Sequence, residues 1–262
     1  MIKHIYDEQD LPMDDLRKIG LAANGGLNLD NDDRAALLSG RRTSMLRLEN
    51  LFSDGLHIPF LDAKLSLKPN TAGSLDLLVH PIYKHAMQPS FLTDTEVEEL
   101  EKGEVPSIEK AIEGDDGQSR DVLIEFDSDT NEFIVTDQAR ILAPDRVNGE
   151  YLSLDQKERY RKGKEVELAD GTALQYSGTE KQGIRSNKLA LVASVLIDGG
   201  LSFALYQGLH YLFGEKKHRD NADIFSKGYF SDLEEQQKQE SRETDRVRKP
   251  DNQYNRSYTR SR

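Results

Sequence analysis

An α+β fold is predicted: short N-terminal helices, then an antiparallel sheet with a duplicated helix-hairpin unit, C-terminal apolar helices and a disordered polar tail. Three observations predict it. Phe91-Leu92-Thr93 running to Lys102-Gly103 is matched, sixty positions on, by Tyr151-Leu152-Ser153 running to Lys162-Gly163. Several stretches around these two alternate apolar and polar residues with period two, the mark of half-buried strands. Finally, Leu189 to Phe213 carries one full charge, Asp198, and everything after Gly214 is polar.

The first helix is expected over residues 11–21, with Pro12 near its first turn, Met13, Leu16 and Ile19 on its apolar stripe, and Gly20 at its end. A second is expected over residues 28–39, capped from the Asn/Asp cluster, with Ala35, Leu37 and Leu38 inward and Gly40 closing it. Two such helices bury too little to fold alone. From Thr43 the period becomes two. Leu61, Ala63, Leu65 and Leu67 alternate with Asp62, Lys64, Ser66 and Lys68, and the turn Pro69 to Gly73 returns the chain through Leu75, Leu77 and Val79.

Each repeated helix has its start and stop in the sequence: a hydroxyl N-cap, Glu96 or Gln156 three residues on, and a Gly where the chain must turn left-handed. Leu92 and Val97 occupy the staple positions of the first. In the first copy, residues 122–126 and 132–136 read as a hairpin; in the second, 166–168 and 173–176 do so across Asp170-Gly171. Two packed helices broken at Gly199-Gly200, with Asp198 capping the second, account for residues 185–214. The resulting organisation is a small helical domain over residues 1–50, an α+β domain over 56–180 with copies at 91–136 and 151–177, an apolar helical segment over 185–214, and a tail over 215–262 with too little apolar surface to order.

Composition narrows the function classes. Thirty-five basic against 47 acidic side chains give a net charge of −12, which repels nucleic acid and anionic membranes at long range. The absence of cysteine excludes disulfides, thiolate metal sites and a cysteine nucleophile. The N-terminus lacks the apolar run of a signal peptide, and a cytoplasmic location is expected. The chain's 36% of apolar residues suffice for a modest core.

No catalytic residue, metal site or cofactor is indicated. His80 and His85, five apart across Pro81, suit neither the one-face spacing of a zinc protease nor paired strand ligands. The carboxylate clusters, among them Asp127-Ser128-Asp129, lack the Gly and Glu that complete a calcium loop and read as turns and caps. Gly25-Gly26 and Gly199-Gly200 lack the context of a phosphate loop. Three basic spots could meet phosphate: Arg41 and Arg42 after the second helix; Arg159, Arg161, Lys162 and Lys164 around the second repeated helix; and Arg256, Arg260 and Arg262, which alternate with Tyr254 and Tyr258. Basic residues interleaved with aromatics make weak, salt-sensitive nucleic-acid contacts, and Arg41, Arg42, Arg256, Arg260 and Arg262 are the candidate anionic contacts.

Leu11-Pro12-Met13-Asp14-Asp15-Leu16 to Gly20-Leu21, followed by Leu37 to Thr43, resembles a short uncharacterised domain of Bacteroidota conjugative transposons. Leu61 to Leu67, Leu78 to Ile82 and both Leu-Ser/Thr to Lys-Gly units are similar to a second uncharacterised domain that accompanies it, so that the resemblance covers roughly residues 10–180. It implies a cytoplasmic accessory protein of a mobile element and brings no catalytic residues. The expected function is therefore non-enzymatic binding of a protein partner, with nucleic acid a weaker one and no small-molecule substrate. One alternative is an inner-membrane-associated component held through residues 189–213, whose length could cross a bilayer. Another is a metal-dependent hydrolase or nuclease assembled from His57, His80 and Asp62 or Asp76.

Overall fold

The computed structural model describes residues 5–23, 26–53, 55–114, 117–188, 190–197, 200–207, 234 and 238. Mixed helix and antiparallel sheet make up these residues. Helix α1 (Met13–Lys18) is shorter than its sequence pattern, since Pro12 occupies the N-cap and the chain leaves the helix at Gly20 with φ +78°. Strands β1 (Ala22–Ala23) and β2 (Gly26–Leu27) form a short ladder before α2 (Asn31–Leu38). Asp30 caps α2 by accepting from the Asp33 N–H at 2.6 Å, and Ala36, not Ala35, joins Leu37 and Leu38 in the core.

Strands β3 (Leu46–Ser53), β4 (Leu56–Pro69) and β5 (Leu75–Pro81) make an antiparallel meander in that order. Strand β4 is long enough to serve two neighbours: residues 56–63 pair with β3, and 63–69 with β5. Pro59 falls where β5 does not reach, a place where a missing N–H is tolerated. Leu48, Ala63, Leu65, Leu67 and Leu75 on one face share a single core with Leu11, Leu16, Leu37 and Leu38 from the helical segment. Each such leucine contributes about 1.5–3 kcal/mol by leaving water, and this is how helices too short to stand alone persist.

Helix α3 (Asp94–Glu101) carries a complete capping box: Glu96 N–H donates to Thr93 Oγ1, and Thr93 N–H donates to the Glu96 carboxylate. Strands β6 (Ile108–Glu113), β7 (Ser119–Asp127) and β8 (Glu132–Asp137) follow as a meander in which β7 is central. The hairpin read from the sequence is β7–β8. Strand β6 is an addition whose Ile-Glu-Lys-Ala-Ile-Glu pattern follows the period of two.

A hairpin of β9 (Arg146–Val147) and β10 (Glu150–Tyr151) turns through Asn148 and Gly149, both at positive φ, as a two-residue loop of that type requires. Helix α4 (Leu154–Arg161) has the second capping box, between Ser153 and Gln156. Strands β11 (Val166–Glu167), β12 (Ala173–Tyr176) and β13 (Ile184–Ser186) again form a meander. The sixty-residue offset extends to details: Glu98 pairs with Lys102 as Glu158 pairs with Lys162, and Gly103 and Gly163 leave their helices at φ +69° and +65°.

The two helix-and-meander units meet at β7. Its Val122 and Ile124 pack with Leu92 and Leu100, whereas Leu123 faces the other way into a core with Leu152, Tyr160, Leu174 and Tyr176. The alternation of a strand buried on both faces thus serves two cores.

The apolar C-terminal helices expected over residues 185–214 are corrected over 190–197 and 200–207, and residues 208–214 lie outside the described residues. Ala190–Ile197 is strand β14 and Gly200–Gln207 is strand β15; they pair with each other, and β14 pairs with β9, in a sheet ordered β10-β9-β14-β15. The register Ile197↔Gly200 leaves two residues between the strands, and in the sequence these are Asp198-Gly199, a strong hairpin dipeptide. Val192, Val195 and Ile197 are β-branched, which favours extended backbone. No helix among the described residues is long and apolar enough to cross a membrane. The expectation of a disordered tail falls, apart from Glu234 and Lys238, outside the described residues.

Candidate functional site

Among the described residues, the densest assembly of titratable side chains lies where the outer face of β4 and β5 meets the β7–β8 turn. Alternation along β4 puts Lys64 and Ser66 on the face opposite the leucine core, and the register Lys64↔His80 brings His80 beside them. The turn residues Asp127, Asp129, Thr130 and Glu132 close over this face, and Arg42 enters from the segment between α2 and β3.

Lys64 Nζ donates to both oxygens of Asp127, at 2.9 and 3.0 Å, and lies 2.9 Å from Asp129 Oδ2. Arg42 Nη1 reaches Glu132 Oε2 at 2.7 Å, Thr130 Oγ1 at 3.0 Å and Asp127 Oδ2 at 3.4 Å. A buried charge survives only when paired and hydrogen-bonded, and this network meets that condition for Arg42, Lys64 and Asp127.

His80 bridges the edge of the network. Its Nε2 lies 2.8 Å from Ser66 Oγ and its Nδ1 3.3 Å from Glu132 Oε2. Burial, and next the Arg42 guanidinium, push its pKa below the usual histidine value, with Glu132 opposing. Hydroxyl, neutral imidazole and carboxylate therefore stand in the order used for acyl transfer. The surroundings differ from those of a nucleophile. Ser66 sits mid-strand, the adjacent Leu65 N–H donates to Thr43 Oγ1 at 2.9 Å, and Leu65 O accepts from the Thr43 N–H. An oxyanion needs free donors beside it, and here the adjoining backbone is bonded to Thr43 on one side and pairs with β5 on the other. The arrangement links β4 and β5 to Glu132 of β8.

A second polar centre surrounds Glu125 on β7. The side chain is buried, and burial pushes its pKa up to about 7 against the pull of Arg185, the Gly178 N–H and the Ser177 hydroxyl. Gly178 N–H donates at 2.6 Å and Ser177 Oγ at 2.8 Å. Tyr176 is pushed up to about 12, by burial first and Glu125 second. The loop over residues 177–183 that supplies these donors is itself held from three sides. Arg41 donates to the Lys181 carbonyl at 3.1 and 3.2 Å, Tyr160 OH donates to the Gly183 carbonyl at 2.8 Å, and Lys181 pairs with Asp30.

These contacts place the residues singled out in the sequence. Arg42 is buried among carboxylates and Arg41 lies half-buried against Gly183, so both guanidinium groups have internal partners. Arg256, Arg260 and Arg262 lie outside the described residues. Around α4, Arg159 and Arg161 donate to the carbonyls of Glu165 and Ile141, and Lys162 and Lys164 pair with Glu158 and Glu109. His57 stacks on Phe52 with ring centroids 4.6 Å apart, Asp62 is held by Arg47, and Asp76 accepts from Asn70. The structure therefore does not bring His57, His80, Asp62 and Asp76 together, and among the described residues no three His, Asp or Glu groups are placed to hold a metal ion.

The sequence reading missed the Lys64 network. A lysine inside an otherwise leucine-rich strand was its one local signal; its partners lie 63 or more residues away. The reading also missed the projecting β3–β4 arm, where Phe52, Leu56 and Phe60 are 75%, 61% and 62% exposed. The register puts Leu56 and Phe60 on one face of the ribbon and Phe52, with His57, on the other, and large apolar side chains close together in water mark an interaction surface more often than solitary ones do.

A family described as a protein of unknown function (DUF4099) matches residues 6–89, the span that runs from α1 through β5 and includes the whole N-terminal core. No curated protein and no solved structure matches the chain.

Proposed function

We propose that the chain is a non-enzymatic accessory protein of a mobile genetic element, of the Bacteroidota conjugative-transposon kind, that works in the cytoplasm by binding another protein. The two helix-and-meander units are copies of one module and act as a stiff frame. The β3–β4 arm is the contact. The observation that carries this reading is the exposed apolar set Phe52, Leu56 and Phe60 on a ribbon that extends past β5. Interface energy concentrates in a few such side chains. The internal pairing of Arg41, Arg42, Lys64 and His80 supports a structural role for the polar centres. Nucleic acid is a weaker, salt-sensitive partner through Arg256, Arg260 and Arg262, opposed at long range by the net charge of −12.

The test is crosslinking and capture from the native host with the wild-type chain and with a Phe52→Ser, Phe60→Ser double variant. A specific protein that is recovered with wild type and lost with the variant supports the reading. An identical set of captured proteins overturns the assignment of the arm.

A further inference from the structure

The three-stranded sheet β3-β4-β5 ends in β3, and among the described residues no other strand pairs with it. Natural edge strands avoid joining other chains through lysines, prolines or inward charges. Strand β3, Leu46-Arg47-Leu48-Glu49-Asn50-Leu51-Phe52-Ser53, contains no lysine and no proline, and its two charges are of opposite sign. Arg47 and Glu49 lie two apart and therefore on one face, the face away from the leucine core, while Leu48 between them is buried. Both charged side chains are exposed.

That pattern is self-complementary. If a second β3 approaches antiparallel with the dyad at Leu48, each Arg47 stands opposite the other chain's Glu49, and Leu46 stands opposite Asn50. Isologous contacts of this kind require residue i to meet j while j meets i, and opposite charges directly across an antiparallel pair attract whereas like charges repel. The residues that brace Arg47 are consistent with its lying flat on this face. Its guanidinium bonds Asp62 of β4 through Nε and Nη2, at 2.8 and 2.9 Å, and lies 5.2 Å from the Phe60 ring centre, which leaves Nη1 for the Glu49 of a second copy. Asn50, at φ +53°, ends the regular extended backbone of Leu46–Glu49, the stretch that would meet a second copy, while pairing with β4 runs on to Ser53↔Leu56. At the other edge, β5, His80 reaches Glu132 of β8, and just past the strand the Tyr83 N–H donates to the Thr130 carbonyl at 3.0 Å.

We propose that β3 is the homodimerisation edge of this protein and that two copies join their sheets into one six-stranded sheet, ordered β5-β4-β3-β3-β4-β5, with Arg47 and Glu49 setting the register. The inference is independent of the partner assigned to the arm. A strictly monomeric chain that still captures a protein through Phe52 and Phe60 would leave that reading standing and remove this one.

Sedimentation equilibrium of the full chain and two variants tests the proposal. Arg47→Glu makes the outer face of β3 wholly acidic and Glu49→Arg makes it wholly basic. Wild type should be dimeric, each variant alone should dissociate with a constant raised about tenfold or more, and an equimolar mixture of the two variants should recover the dimer. Recovery in the mixture also demonstrates that each variant is folded. The double variant carrying both changes should dimerise as wild type does, because the cross-strand pairs are then exchanged intact. A monomeric wild type overturns the proposal, as does a dimer indifferent to either single reversal or a double variant that stays monomeric while circular dichroism shows it folded.

Discussion

Lys64 and Asp127 form a buried ion pair, 4% and 2% exposed, that joins the central strand of the N-terminal sheet to the turn between β7 and β8. It is the innermost link of a chain that continues through Arg42 to Glu132 and through Glu132 to His80. Its place between two sheets makes it a determinant of how the two are fixed together.

Removing one member should cost more than removing both. Lys64→Met leaves Asp127 with Arg42 as its one charged partner, at 3.4 Å, and Asp127→Leu leaves Lys64 with only the exposed Asp129 while Arg42 keeps Glu132 and Thr130; each single change should lower stability by about 3 kcal/mol in urea titration. The Lys64→Met, Asp127→Leu double variant should lose much less than the sum of the two. Additive losses would show that the pair does not act as a unit.

The two helix-closing glycines should respond unequally to the same substitution. Gly103 and Gly163 share positive φ, and a Cβ at Gly103 meets nothing within 4 Å, whereas at Gly163 it would fall 2.7 Å from Leu123 Cδ1 and 2.7 Å from Ser107 Oγ. Gly103→Ala should cost about 1 kcal/mol from backbone strain. Gly163→Ala adds overpacking, about 1–3 kcal/mol more. Equal melting temperatures for the two variants would contradict the close approach of α4's end to β7.

Glu125 predicts a slope in the dependence of stability on pH. Its carboxyl is raised from 4.5 to about 7, chiefly by burial, so between those values the folded protein holds a proton that the unfolded chain releases. Stability from this group is therefore greatest at low pH, falls as pH rises through that window and levels above about 7. The size is about 3 kcal/mol at one unit per 1.36 kcal/mol. Glu125→Gln should flatten that part of the wild-type profile in urea unfolding followed from pH 4.5 to 8. A variant with the wild-type slope would place the proton elsewhere.

Legibility from sequence follows the range of the interaction. Thr93 with Glu96 and Ser153 with Gln156 act over one helical turn, and both capping boxes were readable as written. Strands β4, β5, β7, β8, β11 and β12 were readable because one face meets solvent or a differently packed layer and leaves a period of two. Strands β14 and β15 were misread because their residues are apolar without alternation, so length and hydropathy suggested helices while Asp198-Gly199 carried the correct signal. The Arg42 network was unreadable for a different reason. Arg42 meets Asp127 and Glu132 only after two sheets have folded and docked, and nothing near Arg42 in the chain separates a guanidinium waiting for phosphate from one waiting for a carboxylate.

Strand β7 supplies Val122 and Ile124 to one core and Leu123 to the next, so the paired modules share a party wall. Cutting the chain between them would leave each fragment with a raw apolar surface where its neighbour had been.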